Sequence, residues 1–203
     1  MADTRSAATS GNLAIGALYV WILAEVGLLL VATDFVAGDG INVWFATSQV
    51  LAFASLSAFV LSLVIAVFCF VWIYRAMAIA HRVTPTLSIS PRAAVGWFFV
   101  PIASLWKPYE AICQLIDGSG GRRVAATRTL AGWWWAGWLA RAVIGLLSRF
   151  GGSVGVDGML SRSYGVMLML AAVIGIPMAC LFQEIIRRVI IAQGNAVEAS
   201  VFA

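Results

Sequence analysis

The chain has 203 residues, of which 62% are hydrophobic and 11% are charged, with a formal net charge of +4. Its mean hydropathy is +0.96. A soluble domain carries roughly 25% charged residues, so this chain has too little polar material to cover a surface that faces water. We therefore expect an all-α integral membrane protein that forms a single membrane domain over residues 1–203.

Cysteine and histidine usage argues against metal, haem and disulfide chemistry. Cys69, Cys113 and Cys180 lie in apolar segments without CxxC spacing, and His81 is the only histidine. A cysteine in apolar surroundings usually behaves as a small hydrophobic residue. An embedded hydrolase would need a recognisable Ser/His or His/Asp constellation, and the sequence offers none. We expect no cofactor, no metal and no enzymatic activity.

Four stretches are long and apolar enough to cross a membrane. A spanning helix needs about 20 apolar residues, and its backbone must satisfy its own hydrogen bonds because lipid offers none. The four stretches are Leu13–Ala32, Val50–Tyr74, Thr129–Phe150 and Tyr164–Phe182. The connections Thr33–Gln49 and Phe150–Ser163 are expected to be external loops.

A fifth apolar run, Ala93–Trp106, is interrupted by Pro101 and would be only about 21 Å long as a helix. Basic residues in short loops favour the cytoplasmic side. If the run returns to its own side, ten basic residues share the cytoplasmic side and two lie outside; if it crosses, the split is six against six. The ten are Arg5, Arg75, Arg82, Arg92, Lys107, Arg122, Arg123, Arg128, Arg187 and Arg188. The bias favours a re-entrant or interfacial segment at about residues 91–117.

The prolines divide this segment into two helical pieces. Ser90 and Pro91 are typical of a helix N-cap and a first helical residue. Pro101 should break the first helix because proline removes a backbone donor, and Pro108 should begin a second helix. In Pro108–Asp117 the polar side chains fall on one face, which predicts an amphipathic helix lying on the membrane surface.

The motif Trp72-Ile-Tyr-Arg75, followed by Ser90-Pro91, Gly96-Trp97-Phe-Phe-Val-Pro101 and Leu105-Trp106-Lys-Pro108-Tyr109, resembles a bacterial membrane family catalogued as domain of unknown function 4328. Ser104 and Ile79 stand where that family commonly has asparagine, and Phe98 replaces its second tryptophan. The resemblance implies the same spans and a bacterial inner membrane, and it supplies no activity. The signature residues it singles out are Arg75, Gly96, Trp97, Pro101, Trp106 and Pro108.

Glu25 and Arg141 are the two charged residues deepest in the predicted spans. Each lies 12 residues beyond the cytoplasmic start of its span, which places both about 18 Å into the membrane. An ionisable residue at this depth is costly and is a functional candidate. The pair is interpreted either as a structural ion pair or as a site for a solute or proton.

Aromatic and small residues indicate how the helices sit and pack. Trp133, Trp134, Trp135 and Trp138 cluster at the start of the third span, with Trp72 at the same level, as in an interfacial aromatic belt. Small residues recur at every fourth position, a pattern that allows close helix packing. The two stripes are Ala54, Ala58, Ser62 and Ala66, and Ala171, Gly175 and Ala179.

Basic residues near the membrane predict contacts with anionic lipid head groups, at about 1 kcal/mol each. They are Arg92, Lys107, Arg122, Arg123 and Arg128. They are too few and too close to the bilayer for nucleic-acid binding. We expect membrane lipids, and a second copy or another membrane protein, as partners.

Two functions remain open. One is a non-catalytic assembly or accessory component of a membrane complex, favoured by the packing stripes and aromatic residues. The other is a small-solute or ion channel or transporter that uses Glu25, Arg141 and the proline-interrupted segment, because broken helices often line substrate paths. The expected location is the bacterial cytoplasmic membrane, with both termini in the cytoplasm.

Overall fold

The computed structural model describes residues 2–37, 41–120, 124–150 and 162–201, with side chains over 4–37, 49–120, 124–148 and 162–196. These residues form an all-α bundle in which no strand is described. The six α-helices are α1 (Ala2–Ala37), α2 (Ile41–Val83), α3 (Pro91–Gly96), α4 (Lys107–Gly118), α5 (Val124–Phe150) and α6 (Arg162–Val201). Two short 3₁₀ turns, Trp97–Phe99 and Ala103–Leu105, lie between α3 and α4.

Four of these helices, α1, α2, α5 and α6, are long and apolar enough to cross a membrane. The four spans expected from hydropathy lie within them, so the span count is confirmed and the protein is a membrane protein. The helices are longer than the apolar runs: α2 has 43 residues and α6 has 40. Apolarity marks the part of a helix that meets hydrocarbon, whereas backbone hydrogen bonding continues into the polar residues beyond it.

The external loop expected at Thr33–Gln49 is therefore wrong in extent. The helix α1 continues to Ala37 and α2 begins at Ile41, so most of this stretch is helical. Of the second expected loop, Phe150–Ser163, residues 151–161 lie outside the described part of the chain.

The described chain divides into two compact units. Unit 1 comprises Met1–Leu18, Ile65–Trp135 and Cys180–Ala203, and unit 2 comprises Tyr19–Val64 and Ala136–Ala179. Unit 1 contains the start of α1, the end of α2, α3, α4, the start of α5 and the end of α6. The end of α2, the segment that joins it to α5, and the start of α5 thus belong to the same unit.

The proline-interrupted segment has the two-part form that its sequence predicts. Ser90 is the N-cap of α3, with its hydroxyl accepting from the Ala93 amide at 3.3 Å. The helix ends at Gly96, the chain turns through Pro101, and α4 begins at Lys107 with Pro108 in its first turn. No continuous helix forms between Ser90 and Asp117, which confirms the prediction.

The helix α4 is amphipathic, but its apolar face is covered by protein. Ala111, Ile112, Leu115 and Ile116 are buried. On the polar side, the Gln114 amide oxygen accepts from the Ile89 backbone amide at 3.0 Å. The expectation that the apolar face rests on the membrane surface is corrected, because periodicity identifies an apolar face and does not say what covers it.

Several tryptophans are also buried rather than interfacial. Trp72, Trp134 and Trp135 lie inside unit 1, where the Trp134 ring stacks on Phe182 at 4.8 Å and Trp72 meets Phe182 edge-on at 5.8 Å. These side chains therefore form a core, whereas Trp133 is exposed.

Candidate functional site

Among the charged side chains of unit 2 that the structure describes, that of Glu25 is the most buried. It lies on α1, among the apolar residues of a spanning helix, and only 1% of its surface is exposed. One turn before it is Trp21, which is also buried. A carboxylate removed from water in this way needs a partner charge or hydrogen-bond donors.

Arg141 on α5 supplies that partner. Its Nη2 lies 2.5 Å from Glu25 Oε1, and its Nη1 donates to the Ala171 carbonyl of α6 at 2.6 Å. Arg141 therefore joins three helices of unit 2 through one side chain. The sequence placed the two charges at equal depth, and they are in contact in the structure; the use of the pair as a site stays a prediction.

The guanidinium is accommodated by the absence of a side chain at Gly175. A Cβ atom built there would overlap Arg141 Nη1 and lie 2.9 Å from Trp21 Cη2. The Trp21 ring also stands 5.0 Å from the Arg141 guanidinium carbon, a cation–π distance. The small-residue stripe of α6 (Ala171, Gly175 and Ala179) thus packs inside unit 2. The space beside Gly175 is filled by the side chains of Arg141 and Trp21.

Sequence reasoning missed Trp21 and the Ala171 carbonyl as members of this site. Trp21 is one turn from Glu25, and a tryptophan near a buried arginine was the signal available. The Ala171 contact had no signal of its own, because it depends on where the guanidinium lies against α6.

The site is not fully satisfied within the described side chains. Glu25 Oε2 is buried and has no hydrogen-bond partner there. Arginine has five N–H donors, of which two have acceptors in this site, and 29% of the Arg141 side chain is exposed. The arrangement can therefore hold helices together, and it can also receive a further polar group.

The signature residues lie in unit 1 and do not converge on one site. Arg75 donates to the Ser6 carbonyl at 3.3 Å, and Lys107 lies 6.0 Å above the Trp97 ring. Pro108 is buried in α4, whereas Gly96, Pro101 and Trp106 are exposed. Pro101 lies in the break between α3 and α4 and Pro108 begins α4, whereas Arg75 belongs to α2 and bonds to the start of α1.

The residues at the two expected asparagine positions are also placed. Ser104 donates from its hydroxyl to the Pro101 carbonyl at 2.8 Å, and Ile79 is buried in unit 1. His81, which had no evident partner in sequence, lies 2.7 Å from the Ile89 carbonyl through Nε2.

The basic residues expected to contact lipid head groups are partly engaged in ion pairs. Lys107 pairs with Glu110 at 2.7 Å, and Arg128 pairs with Asp117 at 3.5 Å. Arg92 is exposed on α3. Arg122 and Arg123 lie outside the described residues, and lipid contact stays a prediction for all five.

Unit 1 also holds a half-open cavity of about 640 Å³. Its lining is contributed by the end of α4, the start of α5 and the end of α6, and includes Thr127, Arg188, Val189, Ala192 and Asn195. Arg188 is held by Glu184 through a 2.8 Å pair within α6. Among the described residues, no group of three or more His, Cys, Asp or Glu side chains is placed to hold a metal ion.

The family model for the domain of unknown function (DUF4328) matches residues 39–190. This range is three quarters of the chain and contains every signature residue. The chain belongs to this family. The DUF4328 match includes Arg141, Ala171 and Gly175, whereas Glu25 precedes it. No curated protein and no solved structure matches the chain.

Proposed function

We propose that this DUF4328 protein is a non-catalytic component of a complex in the bacterial cytoplasmic membrane, where it serves as an assembly or accessory protein. The observation that carries the proposal is the use of Arg141, which ties α5 to a carboxylate on α1 and to a carbonyl on α6. A charged side chain whose bonds hold three helices together is what we expect of a protein with a scaffolding role. A protein with this role binds its partners through helix surfaces that its own chain does not cover.

The surface that we assign to a partner is the outer side of α5 in unit 2. From Ala136 to Ser148 this helix has no buried residue, and Val143, Leu146 and Leu147 are each more than half exposed. Ala136 is exposed as well and lies seven residues before Val143, on the same face of the helix. Small residues beside branched ones favour helix–helix association in lipid. The partner is another membrane helix, from a second copy or a different protein.

Cysteine cross-linking in native membranes tests this assignment. In a chain whose three cysteines are replaced by alanine, Val143→Cys should form a cross-linked species whose mass identifies the partner. Leu23→Cys, an equally apolar exposed site on α1, is the matched control and should remain uncross-linked. Equal cross-linking at both sites, or none at Val143, contradicts the assignment.

We further propose that both termini and the segment between α2 and α5 are cytoplasmic. Support comes from the ten-to-two distribution of basic residues, and from the fact that the ends of all four spanning helices on this side belong to unit 1. Thr86 is exposed in the segment between α2 and α5 and serves as its labelling site. An impermeant thiol reagent should label Ser153→Cys on intact cells and Thr86→Cys only after lysis. The opposite pattern rejects this topology.

A second function, a small-solute or ion channel or transporter, is favoured by the unpartnered Glu25 Oε2. A buried acceptor with a free lone pair beside a partly exposed arginine could take part in moving a proton or small ion. Flux into proteoliposomes that contain the purified protein tests this. Flux that disappears in Glu25→Gln, with an unchanged melting temperature, would establish the second function over the first.

A further inference from the structure

The turn between α3 and α4 carries an exposed apolar surface that the ion-pair site does not explain. Phe99 and Ile102 are 70% and 73% exposed, and Leu105 and Trp106 are about half exposed. We call residues 97–106 the tip segment. A contiguous set of large exposed hydrophobic side chains marks a membrane or protein contact.

Two contacts fix the depth of the tip segment against the spanning helices of unit 1. The Phe70 ring of α2 lies 5.1 Å from Phe98 and 5.4 Å from Phe99. Phe70 is four residues inside the apolar run that ends at Tyr74, so it lies about 6 Å below the edge of that run. The rings of Phe98 and Phe99 lie at the same level.

The second contact is independent of the first. Trp135 Nε1 on α5 donates to the Leu105 carbonyl at 3.2 Å. Trp135 is six residues inside the apolar run that begins at Thr129, which corresponds to about 9 Å along the helix. Both ends of the tip segment are therefore held below the edge of the hydrocarbon.

The backbone of the tip segment is adapted to a place without water. Irregular backbone facing lipid is excluded unless its polar groups have partners. The Val100 carbonyl accepts from the Ser104 amide at 2.7 Å, and the Ile102 and Ala103 carbonyls accept from the amides three residues on, at 3.2 Å each. The Ser104 hydroxyl donates to the Pro101 carbonyl, and the Trp135 indole N–H donates to the Leu105 carbonyl. Five carbonyls around the proline break are thereby satisfied.

Basic side chains flank this segment. Lys107, which also pairs with Glu110, follows Trp106 directly, and Arg92 is exposed at the start of α3. A short apolar segment flanked by basic residues is typical of a segment that enters one leaflet, where the basic residues meet anionic lipid head groups.

From these contacts we infer that the tip segment is a shallow wedge in the cytoplasmic leaflet, with Phe99, Ile102 and Leu105 in contact with lipid acyl chains. The wedge enters the bilayer and returns to the same side. It attaches unit 1 to the lipid independently of the four spans, and this inference does not depend on the assembly role proposed for α5.

Spin-label accessibility in reconstituted vesicles of phosphatidylethanolamine and phosphatidylglycerol tests the wedge. Nitroxides are attached to Ile102→Cys, to Thr86→Cys as an exposed site outside the membrane, and to Leu56→Cys as an exposed site within a span. All three are placed in the full chain with alanine at its native cysteines. Relaxation by oxygen, which concentrates in lipid, is compared with relaxation by a water-soluble nickel chelate.

The Ile102 label should behave like the Leu56 label, with relaxation by oxygen severalfold greater than relaxation by nickel. A label at Ile102 that is as accessible to nickel as the label at Thr86 overturns the inference, because the segment then faces water. Protection from both reagents also overturns it, because a protein partner then covers the tip. Each labelled variant should retain the melting temperature of the cysteine-free parent, since all three positions are exposed.

Discussion

The ion-pair site in unit 2 and the tip segment in unit 1 both contain polar groups that water cannot solvate, and they satisfy those groups differently. In unit 2, full charges on separate helices meet: Glu25 on α1 and Arg141 on α5. In unit 1, uncharged carbonyls around Pro101 accept from donors that are mostly three or four residues away. One arrangement is long-range and charged, and the other is local and neutral.

This difference predicts unequal consequences of substitution. A buried charge that loses its partner retains its full desolvation penalty, whereas a carbonyl that loses one neutral donor loses a single hydrogen bond. We expect the ion-pair site to be sensitive and strongly coupled, and the tip segment to be tolerant. Substitutions at Arg141, Glu25, Gly175 and Ser104 should therefore have effects that decrease in that order.

The largest effect is expected from breaking the ion pair. Glu25→Gln and Arg141→Gln should each destabilise the protein, with Arg141→Gln costing about 3–5 kcal/mol because it leaves a buried carboxylate unpaired. The double substitution should recover part of the loss. Thermal unfolding of the three variants in mild detergent measures the coupling.

A matched control for this cycle is the partly exposed pair Glu184–Arg188 on α6. Glu184→Gln removes the more exposed partner of an i,i+4 pair and should change stability by less than about 1 kcal/mol. If the losses at Glu25 and Arg141 simply add, the two side chains do not interact energetically and the pair does not clamp the helices together.

A smaller effect is expected at Gly175, whose missing side chain leaves space for Arg141 and Trp21. Alanine is the better helix former, so a Gly→Ala change in an open helical position should stabilise by up to about 1 kcal/mol. Nothing lies within 4 Å of a Cβ added at Gly194 on the same helix, so Gly194→Ala should stabilise. At Gly175 the new methyl meets Arg141 and Trp21, and the cost of overpacking is about 1–3 kcal/mol. The melting temperature should rise for Gly194→Ala and fall for Gly175→Ala. A rise for both variants would mean that Arg141 and Trp21 do not fill the space beside Gly175.

The features that could be predicted from sequence are those that depend on periodicity and local chemistry. Hydropathy indicated the four spans, and Ser90, Pro101 and Pro108 marked the cap, the break and the second helix. The equal depth of Glu25 and Arg141 followed from the constant helical rise, and the cost of leaving either charge alone in hydrocarbon favoured an ion pair between them.

The remaining features depend on what covers a surface, which a single sequence does not encode. Trp72 and Trp134 are residues typical of an interfacial aromatic belt, but in the structure they belong to a core because both rings pack against Phe182. The apolar face of α4 could equally have met lipid or protein. The bond from Arg141 to the Ala171 carbonyl required the space for the guanidinium that Gly175 leaves.

The smallest effect is expected at Ser104, whose hydroxyl donates to the Pro101 carbonyl. Ser104→Ala removes that donor and should cost about 1 kcal/mol, the usual net value of one neutral hydrogen bond. Ser55→Ala is the control, because its hydroxyl meets the Ala52 carbonyl within the continuous helix α2, where the backbone already supplies a donor. The loss at Ser104 should exceed that at Ser55 in lipid nanodiscs, where the Pro101 carbonyl has no water to replace the hydroxyl. Equal and negligible losses at the two serines would mean that water reaches the tip segment, and that its carbonyls do not need the donors that the structure provides.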